Sequence, residues 1–232
     1  MFLPLHDDSA LQVIRFQYMS GLVAAVNVAA LIYAAHFTAG EEAVFFSFGA
    51  IPALLTDRAD LDPALIVIPE PLTLFTYMFL HGGWLHLGSN MLFLWVFSDN
   101  VEDAYGHFGF LAFYLFCGVA AAAVHILIWP DSQTPLIGAS GAVAGVLGGY
   151  LVLFPKARVW ILLLSRIPMR ISAYWVLLGW LGFQIFAVAL PQEEIQVAFW
   201  AHIGGFATGF ALTWLLRGRL RQRLFISQEP QS

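Results

Sequence analysis

Charge is scarce in this chain: only 11% of its 232 residues are Asp, Glu, Lys or Arg, against about 25% in an ordinary soluble protein. Cysteine occurs once, at Cys117, which excludes an internal disulfide and leaves the redox compartment unspecified. No basic stripe runs along the chain, so the electrostatic footprint of a nucleic-acid partner is missing. The opening MFLPLHDD has no basic n-region, which argues against a cleaved signal peptide or an Arg-rich transit peptide. No HExxH and no internal repeat occur. What is abundant is apolar: 60% hydrophobic residues, Phe 21 and Trp 8, with a mean hydropathy of +0.77. That composition predicts an all-α, polytopic integral membrane protein.

Apolar, charge-free stretches lie at about 17–37, 84–97, 108–129, 138–154, 172–190 and 199–216. Six spans are therefore expected, at roughly 20 residues per crossing. They divide the chain into a cytoplasmic segment 1–16, a six-span domain 17–216 and a basic tail 217–232, of which SQEPQS reads as disordered. Nine of the ten Lys and Arg residues fall on one side, around Arg15, between Lys156 and Arg170, and from Arg217 to Arg223. The positive-inside rule makes that side, with both termini, cytoplasmic. Only Arg58 faces out. The outer connection 38–83 and the inner one 155–171 are apolar enough to lie in the interface rather than hang free. Short termini and one domain point to a bacterial cytoplasmic membrane.

The second, fourth and sixth spans all enter from the outer side, and each carries its polar residues near that entry. His86 and Asn90 lie in the first two turns of the second, Ser140 in the first turn of the fourth, and His202 about one turn into the sixth. At 1.5 Å rise per residue all four sit within roughly 10 Å of the outer boundary. Gly141 and Gly145 in the fourth span, and Gly205 and Gly209 in the sixth, are each four residues apart. Small residues at that spacing let helix backbones nearly touch in lipid, which would bring the Ser140 hydroxyl to the His202 imidazole. Serine is a poor nucleophile until an adjacent base takes its proton. With no Asp or Glu in the fourth, fifth or sixth span, a Ser-His dyad is expected rather than a triad. His86 and Asn90 share one helix face and can supply two donors to an oxyanion, and the Ser140 backbone N–H a third. Taken alone, Ser140 reads as a small residue for helix packing, His202 equally as an interhelical hydrogen bond or a catalytic base, and His81, at a loop boundary beside Gly82 and Gly83, as structural, while interhelical glue is the lesser reading of His86 and Asn90. Their common depth is what argues for chemistry.

HGGWLHLGSN in the second span, GASGAVAG in the fourth and AHIGGFATG in the sixth resemble the motifs of the rhomboid intramembrane serine proteases. The likeness extends, with the six-span layout, over nearly the whole chain, and implies a rhomboid-like bundle. It implies Ser140 as nucleophile, His202 as base, and His86 and Asn90 as oxyanion residues. Gly138, Gly141, Gly205, Gly209 and His81 would be supporting, and Glu102 of VEDAYG scaffold. The implied substrates are transmembrane segments of other membrane proteins, cut with water from a polar cavity opening outward. Neither a metal nor an organic cofactor is implied. The stretch 172–198 would match the fifth helix and outer cap thought to admit substrate. Two positions depart from the family: the outer loop lacks a Trp-Arg pair, and Ala144 stands where some members stack an aromatic on the base. How His202 is oriented is thus not legible in the motif. Two other classes stay open, a transporter or channel lined by these polar residues and a non-catalytic client-binding relative.

Overall fold

The computed structural model describes residues 2–36, 40–163, 166–190 and 197–226. Its helices are α1 (Tyr18–Ala35), α2 (Glu41–Phe48), α3 (Pro52–Leu55), α4 (Thr73–Thr76), α5 (Trp84–Tyr105), α6 (His107–Ile128), α7 (Ser140–Leu153), α8 (Ala173–Val188) and α9 (Phe199–Ile226). Single 3-10 turns stand at Pro63–Leu65, Glu70–Leu72 and Tyr77–Phe79. Among the described residues, three helices are long and apolar enough to cross a membrane: α1, α6 and the Phe199–Phe225 stretch of α9. α7 and α8 are apolar but shorter, and α5 ends in acidic residues. The chain is a mostly helical membrane bundle.

α7 is its axis, with every residue from Gly141 to Leu153 buried. Each glycine in a helix costs about 1 kcal/mol of propensity relative to alanine, so the four in α7 are there for what they let approach. A Cβ placed on Gly205 would fall 2.0 Å from the Gly141 carbonyl oxygen, and one on Gly209 the same 2.0 Å from that of Gly145. On its other side α7 meets α6, where a Cβ on Gly145 would lie 2.4 Å from that of Cys117. The result is direct backbone contact between α7 and α9, over the residues that carry Ser140 and His202.

The C-terminal end of α5 organises the N-terminal segment. Fully buried Glu102 accepts from the backbone N–H groups of Met19 and Ser20, at 3.0 and 2.8 Å, and from the Ser20 hydroxyl at 2.7 Å. His107 Nδ1 lies 2.5 Å from Glu102 Oε1, the oxygen that also accepts from Met19. A carboxylate at a helix start satisfies N–H groups that have no intrahelical partner and meets the positive end of the helix dipole. Asp103 does the same for the chain leading in, accepting from Gln12, Val13 and Ile14 at 2.6–2.8 Å. Glu102→Ala strands several of these donors and should lower stability by about 3–5 kcal/mol. Thermal unfolding in detergent checks this: an unchanged midpoint would refute the capping role.

The expected all-α architecture is corrected by a three-stranded antiparallel sheet. β1 (Phe2–Asp7), β2 (Arg158–Leu163) and β3 (Ile167–Ser172) pair in that order, with Leu3 opposite Leu162 and Trp160 opposite Arg170. The connection 155–171, expected to lie in the interface, contains the β2–β3 hairpin, and the segment 1–16 supplies the third strand. Runs of Val, Trp, Ile and Leu six residues long suit a pleated, half-buried surface, and pairing satisfies backbone groups that the interface would leave bare. Tyr150 of α7 donates to Asp7, fastening the sheet to the bundle. Burial pushes the Asp7 carboxyl above its usual range, against the Tyr150 hydrogen bond and His6, which draw it down. Its neutral form therefore favours the folded state, a contribution full at low pH and lost as pH rises through the raised value.

α9 runs on to Ile226, so Arg217, Arg219, Arg221 and Arg223 lie on the helix and not in a separate tail beginning at 217. Arg221 reaches back to the Val152 carbonyl at 3.2 Å. Residues 227–232, expected to be disordered, lie outside the described residues, as do 191–196 of the cap between α8 and α9. Likewise α5 continues to Tyr105, past the charge-free stretch 84–97. The connection between α1 and α5 holds short helices pinned to the 130–137 link by an Ala50–Leu136 bridge and an Arg58–Asp131 ion pair of 2.7 Å.

Candidate active site

Gly138 starts the site. Its φ of +120 is strained for any residue with a side chain, and its N–H donates to the Tyr77 carbonyl at 2.9 Å. The turn delivers Ser140 to the first position of α7, where backbone N–H groups lack intrahelical acceptors. A Cβ at Gly138 would sit 2.9 Å from both Cε1 and Nε2 of His86 and 3.7 Å from Ser140 Oγ. The missing side chain is what lets the His86 ring stand beside the serine.

Across the α7–α9 contact, His202 Nε2 lies 2.8 Å from Ser140 Oγ. The serine is half-buried, while the histidine is 9% exposed. A hydroxyl facing a ring nitrogen at this distance is the geometry a general base needs to take the serine's proton. Gly205, one turn beyond His202, and Gly141, next to Ser140, form the closest backbone approach, and Gly209 with Gly145 repeats it one turn deeper.

The opposite wall comes from α5. His86 is half-buried, with the Gly82 N–H 3.4 Å from its Nδ1. Asn90, one turn further along the same face, is buried, and its amide nitrogen has no partner among the described residues. A buried donor without an acceptor costs about 1–3 kcal/mol, and one on the helix face that carries His86 is a candidate to receive a transient negative charge. His81, 1% exposed, sets its ring edge-on to His86 at 4.9 Å. It touches the site through His86.

Three residues that sequence reasoning passed over surround the imidazole. Gln184 of α8, 4% exposed, has Oε1 2.8 Å from His202 Nδ1. Trp180, one turn earlier on α8, packs its ring at 5.8 Å and 37° to the imidazole, and Phe199 stands edge-on at 6.3 Å and 87°. Ala144, where an aromatic might have stacked on the base, is fully buried in α7. The signal for Gln184 was present as the one amide within an otherwise apolar run, AYWVLLGWLGFQIFAV. Glutamine on a lipid-facing span needs a partner as much as histidine does. Of the remaining histidines, His107 serves Glu102, and His36 Nδ1 lies 2.8 Å from a backbone carbonyl of α1.

Comparison with known proteins returns one family description, a Rhomboid domain matching residues 69–219. The chain is similar to the chloroplastic Rhomboid-like protein 11 of Arabidopsis thaliana, 34% identical over 147 residues, covering 61% of this chain and 51% of that protein. It is also similar to the mitochondrial Rhomboid protein 1 of Saccharomyces cerevisiae, 32% identical over 143 residues, 60% of this chain and 40% of the relative. A third, the human mitochondrial Presenilin-associated rhomboid-like protein, is 33% identical over 105 residues, 44% and 27% of the two chains. In each case the match spans about half the relative's length or less.

Proposed function

The chain belongs to the rhomboid family, and on that premise we propose that it is an intramembrane serine endopeptidase acting on transmembrane segments of other membrane proteins. One observation carries the reading: a serine at a helix start with a histidine ring nitrogen 2.8 Å from its hydroxyl, inside an apolar bundle. Ser140 Oγ attacks the scissile carbonyl carbon as its proton passes to His202 Nε2. The carbonyl oxygen becomes an oxyanion facing His86, the Asn90 amide and the Ser140 N–H. Collapse breaks the C–N bond, and the imidazolium returns the proton to the leaving amine. A water molecule, deprotonated by the same imidazole, then hydrolyses the acyl-serine ester and restores both side chains. Preorganised donors matter here because removing one of them typically costs about 3–4 kcal/mol of transition-state stabilisation.

The membrane reading that goes with it has six spans, α1, α5, α6, α7, α8 and α9. The sheet and the arginines of α9 lie on the cytoplasmic side and the Ser140 end of α7 toward the outside. A bacterial cytoplasmic membrane fits that charge distribution, whereas all three relatives above carry organellar names of their own. Lipid on the flanks of α8 and protein substrates at the site are the partners, with no metal or organic cofactor assigned a step.

The test is cleavage of a single-pass model substrate by the purified chain in liposomes, with the cut mapped against membrane depth. A cut near the outer boundary that disappears in Ser140→Ala is expected. A cut that persists in that variant overturns the assignment. Ion flux that depends on neither Ser140 nor His202, without any cleavage, would favour a transport function instead.

A further inference from the structure

Both ring nitrogens of His202 are engaged, Nε2 with Ser140 Oγ and Nδ1 with Gln184 Oε1, each at 2.8 Å. A neutral imidazole carries one proton, so only the tautomer with hydrogen on Nδ1 leaves Nε2 bare to take a proton from the serine. The glutamine decides between them. Its Nε2 donates to the Trp180 carbonyl one turn back on α8, at 3.3 Å, which turns the acceptor oxygen toward the ring. An amide oxygen can only accept, so Nδ1 must be the donor.

We infer that Gln184 is the positioning residue for the base, holding the neutral His202 ring in its Nδ1–H tautomer with the Nε2 lone pair on Ser140 Oγ. The inference rests on the proposed Ser140–His202 pairing and extends it to a third side chain that no family match assigns. Gln184 is 4% exposed, so water does not compete for the bond. Trp180 and Phe199 close two flanks of the ring, leaving hydrogen bonding to set its orientation. An amide supplies geometry without charge: it selects the tautomer but adds no negative charge to hold an imidazolium, as a carboxylate would. Because Gln184 belongs to α8 and the base to α9, the ring is oriented only while α8 is seated against α9. His86 of α5 and His125 of α6 are the other titratable side chains acting on the ring.

The experiment uses the full chain labelled with 15N-histidine in nanodiscs, the His202 signals being assigned by their loss in His202→Ala. Wild type should show a protonated Nδ1 and a bare Nε2. Gln184→Leu should collapse this to a mixture of tautomers and slow fluorophosphonate labelling of Ser140 by about 10- to 100-fold, in the maximal rate rather than in probe affinity. Gln184→Glu keeps an acceptor on Nδ1 and adds a charge that favours the imidazolium, so the acid limb of the labelling profile should move to higher pH. An Nε2–H tautomer in wild type, or a Gln184→Leu chain with unchanged signals and rate, overturns the inference. Should Gln184→Leu fail to fold, Gln184→Glu alone decides, and an unmoved acid limb is the negative result. A Gln184-dependent tautomer in a chain whose Ser140 never labels would sink the protease reading and leave the positioning role standing.

Discussion

Ser140→Ala should abolish fluorophosphonate labelling and lower substrate cleavage by on the order of 10^4-fold or more, leaving only what oriented binding and polarisation provide. The argument is that the nucleophile and base act as one unit: without the hydroxyl the imidazole has no proton to take, and without the imidazole the hydroxyl stays protonated. His202→Ala should therefore be nearly as damaging, and the double variant little worse than either single one. Additive losses would mean that the 2.8 Å contact is not the working contact. Ser140→Ala removes only a hydroxyl and should melt close to wild type, which separates a chemical defect from a folding one, whereas His202→Ala empties a buried site beside Trp180 and strands Gln184 Oε1, so its midpoint should fall.

The second large effect concerns glycine. A Cβ at Gly209 would come within 2.0 Å of the Gly145 oxygen and 2.6 Å of its carbonyl carbon. Both are backbone atoms of the buried central helix, so no side chain can swing away and α7 and α9 must separate. Gly209→Ala should exceed the roughly 1–3 kcal/mol usual for overpacking, enough to abolish folding in a marginal detergent. Gly205→Ala meets the Gly141 oxygen at the same 2.0 Å, close to Ser140, so even partly folded protein should lose labelling. Gly179→Ala and Gly182→Ala on α8 are the controls, since nothing lies within 4 Å of their added methyl groups. Those two should be neutral or mildly stabilising through helix propensity. Equal effects at all four positions would show that lipid exposure, not backbone contact, governs these glycines.

These two predictions draw on features of different legibility. Ser140, His202, His86 and Asn90 were recognisable because each is polar on an apolar span and all four enter at one depth. The glycine spacing pointed to the surface that unites two of them. Glu102 was recognisable only as scaffold by motif, while its hydrogen bonds to Met19 and Ser20 span more than 80 residues and no local pattern announces them. Gln184 was overlooked for a related reason. One amide on a span with no charged neighbour looks like a tolerated polar residue until its distance to another helix is known.

Composition, charge placement and small-residue spacing are local or one-dimensional properties, and they sufficed for the membrane class and the pair of residues proposed for catalysis, while the resemblance of three motifs pointed to the family. Which nitrogen of His202 faces the serine, what touches its other nitrogen with alanine at position 144, and how the N-terminal segment joins β2 and β3 in a sheet depended on contacts between segments distant in sequence. Hydrogen bonds and van der Waals contacts act over a few ångströms, so those features came into being only when α8 met α9 and β1 met β2.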